Sequence, residues 1–221
     1  KEIQEIISIM EVECYESKNK IQRNHRIYTK GRMLIYQLNT DNNTSVRIED
    51  GECEIEETPD FMFYTDRNFK NQVEPDLNVM PEELLPYIRK HFNVKDEDDV
   101  ILISILIVSS MLGMNFNHPV ILIQGEKGSG KSKFGESMVA LFLYKQEPFD
   151  LNSGTPVAFY RRLSRIMNAP TMLEEYHDNV DDKIFQPIKG AYDGRGREMG
   201  KATGDNRTTT TKVNCSLIIL S

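Results

Sequence analysis

Cysteine is scarce in this chain: three in 221 residues, Cys14, Cys53 and Cys215, far apart and without a C-x-x-C pair. That spacing supports neither a disulfide framework nor a zinc site, so a reducing, cytoplasmic setting is expected. Long apolar runs are lacking too. The longest, Val100 to Met114, is broken by serines and follows the acidic cluster Asp96 to Asp99. It falls short of the about 20 residues that span a bilayer, and it reads as a buried helix with no membrane partner. An excess of positive charge is also missing, since 27 basic residues face 34 acidic ones for a net charge of −7. Contact with nucleic acid would therefore run through local patches rather than through bulk charge.

What is present is ordinary globular material. With 39% hydrophobic and 28% charged residues, 221 residues suffice for a full core and for two domains. The chain opens at Lys1 without a methionine and closes at Ser221 inside an apolar run, as an excerpt of a longer protein would. Charge is uneven along it: residues 1–99 carry 22 acidic and 13 basic side chains, net −9, whereas 100–221 carry 12 and 14, net +2. Two local basic patches stand out. Leu151 to Leu173 holds Arg161, Arg162 and Arg165 with no acid, and Lys189 to Lys212 holds six basic residues against three acidic.

Residues 1–75 show short alternating runs: Arg26 to Tyr28, Met33 to Leu38, Val46 to Ile48, Cys53 to Ile55 and Phe61 to Tyr64. Alternation with period two predicts a small antiparallel β-rich domain. Asn42 and Asn43 mark one hairpin turn and Asp50-Gly51 another. Residues 76–99 read as a linker with a short helix from Glu82 to His91. Residues 100–221 form the third segment, read as a P-loop ATPase core that is expected to be truncated on its C-terminal side.

Within that segment Val120 to Ile123 is a continuous apolar run, expected to be a parallel strand buried on both faces. Gly125-Glu126-Lys127-Gly128-Ser129-Gly130-Lys131-Ser132 follows at once, then a helix-compatible stretch to about Tyr144. This matches G-x-x-x-x-G-K-[ST] between strand and helix. The chemistry needs those residue types: glycines let successive backbone N–H groups turn toward phosphate oxygens, and the helix adds its positive end. Lys131 would then reach the β- and γ-phosphates, and the Ser132 hydroxyl would bind Mg²⁺. ATP and Mg²⁺ are the expected ligands.

A carboxylate is needed to turn phosphate binding into hydrolysis. Thr171-Met172-Leu173-Glu174-Glu175 supplies a short strand ending in two. Glu174 is assigned to Mg²⁺ through water, and Glu175 to orienting and deprotonating the attacking water. A register that puts Glu175 on the metal and Asp178 further out stays open. Between loop and acidic strand, Thr155-Pro156 starts a helix as N-cap and first residue. That helix carries the three arginines. A further helix, Val180 to Tyr192, is interrupted or restarted at Pro187. Beyond it Arg195 to Ala202 and Arg207 to Lys212 flank the turn-rich Thr203 to Asn206, which predicts a β-hairpin. Leu217 to Leu220 reads as a second buried parallel strand.

This order of glycine-rich loop, Thr-Pro helix, acidic strand, helix, basic hairpin and buried strand resembles the ring-forming AAA+ helicases of the pre-sensor-hairpin type. The likeness extends to minichromosome-maintenance helicases and to replication helicases of plasmids, phages and genomic islands, often fused to primases. It covers about Pro119 to Ser221, and Met199 to Gly204 followed by Thr209 to Ile219 is similar to the minichromosome-maintenance hairpin and its following strand. The resemblance implies an α/β fold of P-loop, AAA+-like type, with a parallel sheet flanked by helices. It also implies an ATP-dependent DNA helicase or translocase acting in replication of a mobile element, as a homo-hexameric ring with single-stranded DNA in its channel. Lys201 would correspond to the hairpin lysine that touches DNA, supported by Arg207 and Lys212. Two departures stand out: Glu174 occupies a position usually aspartate, and the sensor position falls at or beyond Ser221. The arginine finger and second sensor would lie outside this chain. A P-loop kinase or other phosphotransferase and a non-translocating nucleotide switch are the alternatives.

Overall fold

A computed structural model of the chain describes residues 25–39, 41–57, 71–94, 96–113, 116–142, 147–174, 182–200 and 208–221, with positions 3, 5–7 and 63. It is an α/β structure with two separate four-stranded sheets and a two-stranded ribbon. The first sheet is an antiparallel meander of β1 (Ile27–Lys30), β2 (Met33–Gln37), β3 (Thr44–Glu49) and β4 (Glu52–Glu57). Its turns follow from local chemistry. Asp50 and Gly51 both adopt positive φ, 53° and 90°, which suits the tight connection from β3 to β4. Asn43, at φ 55°, ends the β2–β3 turn, whose Asn42 carboxamide accepts from the Thr44 hydroxyl at 2.6 Å.

A 3₁₀ turn (Pro81–Glu83) leads into α1 (Leu84–His91), followed by α2 (Glu97–Ser109). The corner between them is braced by two hydrogen bonds from the Arg89 guanidinium to the Glu97 carboxylate, at 2.6 and 3.1 Å. Those bonds hold the Glu97 carboxyl below its ordinary pKa.

The second sheet is entirely parallel. It contains β5 (Val120–Ile123), then β6 (Phe149–Asp150), β7 (Thr171–Glu174) and β10 (Leu217–Leu220), in the spatial order β5-β10-β7-β6. Between these strands run α3 (Lys131–Ala140), α4 (Pro156–Arg165), α5 (Asp182–Asp193) and the antiparallel ribbon β8 (Arg197–Gly200) with β9 (Thr208–Thr211). The Thr155 hydroxyl caps α4 by accepting from the Ala158 amide at 3.2 Å, with Pro156 at the first helical position, as the sequence predicts. Pro187 lies inside α5 rather than ending it.

Alternation along the central strands divides the core into two layers. Met172, Ile218 and Leu220 join Ile88 of α1 and Phe92 just past its end, Val100, Ile103 and Leu106 of α2, and Met138 and Val139 of α3 on one face. Leu173, Leu217 and Ile219 join Phe159 and Leu163 of α4 and Ile184 and Ala191 of α5 on the other. Helix α3 approaches the sheet closely at Gly135, where an added Cβ would stand 2.5 Å from Met172 Sδ.

Two expectations need correction. Leu217 to Leu220 is buried on both faces, but Val120 to Ile123 is not, because it is the outer strand of the described sheet. Val120 and Leu122 remain 37% and 47% exposed. Likewise the Val100 to Met114 run is not a wholly buried helix: it buries Val100, Ile103 and Leu106 and leaves Ile101, Leu102, Ile105 and Val108 about half exposed. A run so nearly apolar throughout carries no periodicity from which one face could be told from the other. No helix among the described residues is long and apolar enough to cross a membrane.

Candidate nucleotide site

All four parallel strands end at the same edge of the sheet, and the candidate residues follow those ends. From β5 the chain runs through Gln124 into the exposed loop from Gly125 to Gly130 and then into α3. Gly128 and Gly130 adopt φ of 88° and 92°, a region closed to most side chains. Gly125 packs so tightly that a Cβ there would come within 2.8 Å of Ser129 Oγ. The Ser129 amide donates to the Glu126 carbonyl at 3.1 Å, closing the turn, and the Phe134 amide donates to the Gly130 carbonyl at 2.9 Å, opening the helix. The N–H groups of the first helical turn beyond Gly130 have no partners within the helix, and the helix dipole adds to their pull on an anion.

Lys131 is the first residue of that helix and folds back over the loop. Its ammonium donates to the Gly125 carbonyl and, at 3.1 Å, to the Glu126 carbonyl. The charge therefore stands over the loop, held among the described residues by neutral backbone oxygens that an anionic oxygen would outcompete. Ser132 and Lys127 are exposed beside it.

Two strand positions away is Glu174, the last residue of β7, partly exposed. The intervening strand is β10, and beyond it the Ser221 amide donates to the Ile123 carbonyl at 3.0 Å. At about 4.8 Å per strand, the ends of β5 and β7 lie roughly 10 Å apart. Asp150 is registered directly beside Glu174. It was not singled out from sequence, and its partners are local. The Ser153 hydroxyl and the Asn152 amide hydrogen-bond to its carboxylate and hold it below its ordinary pKa.

Glu175 and Asp178 lie outside the described residues, as do Lys201 and Arg207. Lys212 is exposed just past β9. Of the arginines on α4, Arg162 is engaged by the Glu147 carbonyl and the Phe149 ring, while Arg161 and Arg165 face outward.

The available donors suit a hard cation that binds few protein ligands. Ser132 and Glu174 offer oxygens only, and among the described residues no group of three His, Cys, Asp or Glu side chains could form a protein cage. Mg²⁺ characteristically takes one or two protein oxygens and completes its shell with water and phosphate. Sequence comparison adds no name to this geometry: no protein-family model matches the chain, and no curated protein resembles it significantly.

Proposed function

We propose that this chain is the nucleotide-binding part of an ATP-dependent DNA helicase or translocase that acts as a ring in replication. One observation carries the reading: a glycine loop with two left-handed residues joins a parallel strand to a helix, on the same sheet edge as Glu174. The loop amides and Lys131 would hold the phosphates. Ser132 and, through water, Glu174 would hold Mg²⁺, whose charge would neutralise the phosphate oxygens when bound. With one strand between loop and acidic end, Glu174 would reach the metal through water rather than directly. Glu175 would orient the attacking water and take its proton. Lys201, Arg207 and Lys212 of the hairpin would grip the DNA backbone without reading bases, since phosphates carry no sequence.

The test is DNA-stimulated ATP turnover by the full-length protein. Single-stranded DNA should raise turnover, and Lys201→Ala should abolish the stimulation and unwinding while nucleotide binding persists. Each lost phosphate contact should lower the slope of log affinity against log salt by roughly 0.7. ATP turnover indifferent to DNA would point instead to a phosphotransferase or switch.

A further inference from the structure

Helix α3 begins at the glycine loop and ends against the antiparallel meander. Its last turn carries no basic residue of its own. The two carbonyls that follow it are met by side chains remote in sequence. The Arg26 guanidinium donates to the Phe142 carbonyl at 2.5 Å, and the Gln72 carboxamide donates to the Leu141 carbonyl. Carbonyls at a helix's C-terminal end lack partners further along the helix, and the dipole favours a cation beside them. Both donors are tied to the meander. Arg26 directly precedes β1, and its guanidinium lies over the Tyr36 ring of β2, 5.8 Å from the centroid. The Gln72 amide donates to the Leu38 carbonyl, just past β2, at 2.9 Å. Around this point Met111, just past α2, packs against Ile27, Tyr36, Leu38 and Val46 of the meander.

We propose that Arg26 and Gln72 are positioning residues for the phosphate loop, and that docking of the meander and anion binding at the loop are coupled through α3, an inference that rests on the phosphate-loop reading. Arg26 is 1% exposed, and its backbone holds φ of 55°, a region uncommon for residues other than glycine. Such a conformation persists where surrounding contacts over-determine it. An apolar side chain would fill the same space without the cost of desolvating a charge, so the position makes use of the charge itself. An anion at the N-terminal end of α3 and a guanidinium at its C-terminal end act on one dipole, 10 residues and about 15 Å long. The helix is a stiff rod set closely on the sheet at Gly135, so whatever fixes its far end also fixes where Lys131 and the first amides stand. By linkage, the factor that the docked meander adds to ligand affinity is the factor that the ligand adds to docking.

Two measurements on the full-length protein test this. Hydrogen exchange at the amides of β1 and β2 should slow at least about fivefold when wild-type protein binds Mg²⁺-ATP, the low end of usual coupling factors. In calorimetric titration Arg26→Met and Gln72→Met should each bind Mg²⁺-ATP and inorganic tripolyphosphate at least about fivefold more weakly, both probes alike because the effect enters at the phosphate end. Arg26→Lys, which keeps the charge, should recover most of the loss. A purely structural contact would give a different pattern: variants of lower melting temperature whose folded fraction binds both probes as wild type does, and exchange in β1 and β2 indifferent to Mg²⁺-ATP. Either of those results would overturn the coupling and leave the loop standing, as would a loss confined to ATP. If Arg26→Met does not fold, Gln72→Met and the exchange measurement on wild-type protein decide. If neither Mg²⁺-ATP nor tripolyphosphate binds wild-type protein, the loop reading itself fails, and the coupling with it.

Discussion

The two ends of the parallel sheet are built from similar polar residues put to opposite use. At the C-terminal edge Ser132 is exposed and Lys131 and Glu174 are partly exposed, and among the described residues Lys131 donates to neutral carbonyls of its own loop. At the N-terminal edge Ser110, His118, Asn214 and Ser216 are almost wholly buried and bonded to their surroundings. The Ser216 hydroxyl stands 2.9 Å from that of Ser110 and 3.4 Å from His118 Nδ1. His118 Nε2 donates to the Gly113 carbonyl at 3.2 Å, and the Asn214 amide donates to the same oxygen at 3.3 Å. Asn168 continues the seam toward the antiparallel sheet, donating to the His25 carbonyl at 2.9 Å. Polar groups bonded to one another in the interior hold a structure together; polar groups converging at its surface remain open to a ligand. The contrast separates residues bonded into the fold from those proposed to do chemistry, and it can be broken from either end.

The largest effect is expected from Glu175→Gln. The amide keeps the shape of the carboxylate but cannot take a proton, so turnover should fall by about 10²–10⁴-fold while nucleotide binding persists. Normal hydrolysis in this variant, with loss in an Asp178 variant, would move the catalytic role along the chain. Lys131→Ala comes next, with turnover reduced on the order of 10²–10³-fold, as for loss of one preorganised donor to a reacting centre. Its thermal midpoint should match wild type, because the ammonium bonds only to carbonyls of an exposed loop among the described residues; ATP turnover at the wild-type rate would remove the loop from the chemistry.

At the opposite edge the signature should reverse. Ser216→Ala deprives both Ser110 and His118 of a buried partner, at a cost of about 1–3 kcal/mol. For a chain of this length the melting temperature should drop by roughly 2–4 °C per kcal/mol, with turnover per folded molecule unchanged. A variant that lost turnover without losing stability would show that the two ends are coupled. The smallest effect concerns pH. Burial pulls the His118 pKa below its ordinary value, so the unfolded chain binds more protons than the native one just below pH 6.5. The stability that neutral His118 contributes is fully present above about pH 6.5 and is lost as pH falls toward its native pKa. His118→Gln should flatten the dependence of melting temperature on pH between about 7.5 and 5.5; an unchanged slope would exclude this histidine as its source.

Legibility in the sequence follows the range of the interaction. The Asp50-Gly51 turn, the Thr155 cap with Pro156 and the glycine loop were each readable because their requirements are satisfied within a few residues. Left-handed backbone demands glycine at Gly128 and Gly130 whatever surrounds them. The strands β1 to β4 were legible for a related reason, since neighbours in sequence are neighbours in the meander. The basic hairpin was read from composition at the same range, and β8 pairs with β9 as an antiparallel ribbon.

Tertiary structure decided what depends on neighbours remote in sequence. Val120 to Ile123 and Leu217 to Leu220 are equally apolar runs, yet one became an outer strand and the other the centre. The difference comes from pairing partners more than 40 residues distant, about which a run of four apolar residues says nothing. The same holds for the cavity of about 600 Å³ beside the glycine loop, which α1, α2 and α3 line together only once they are packed. Backbone geometry is a local property, and residue type alone determined it here. The meeting of distant side chains depends on which surfaces bury one another, and that was settled only when the whole chain packed.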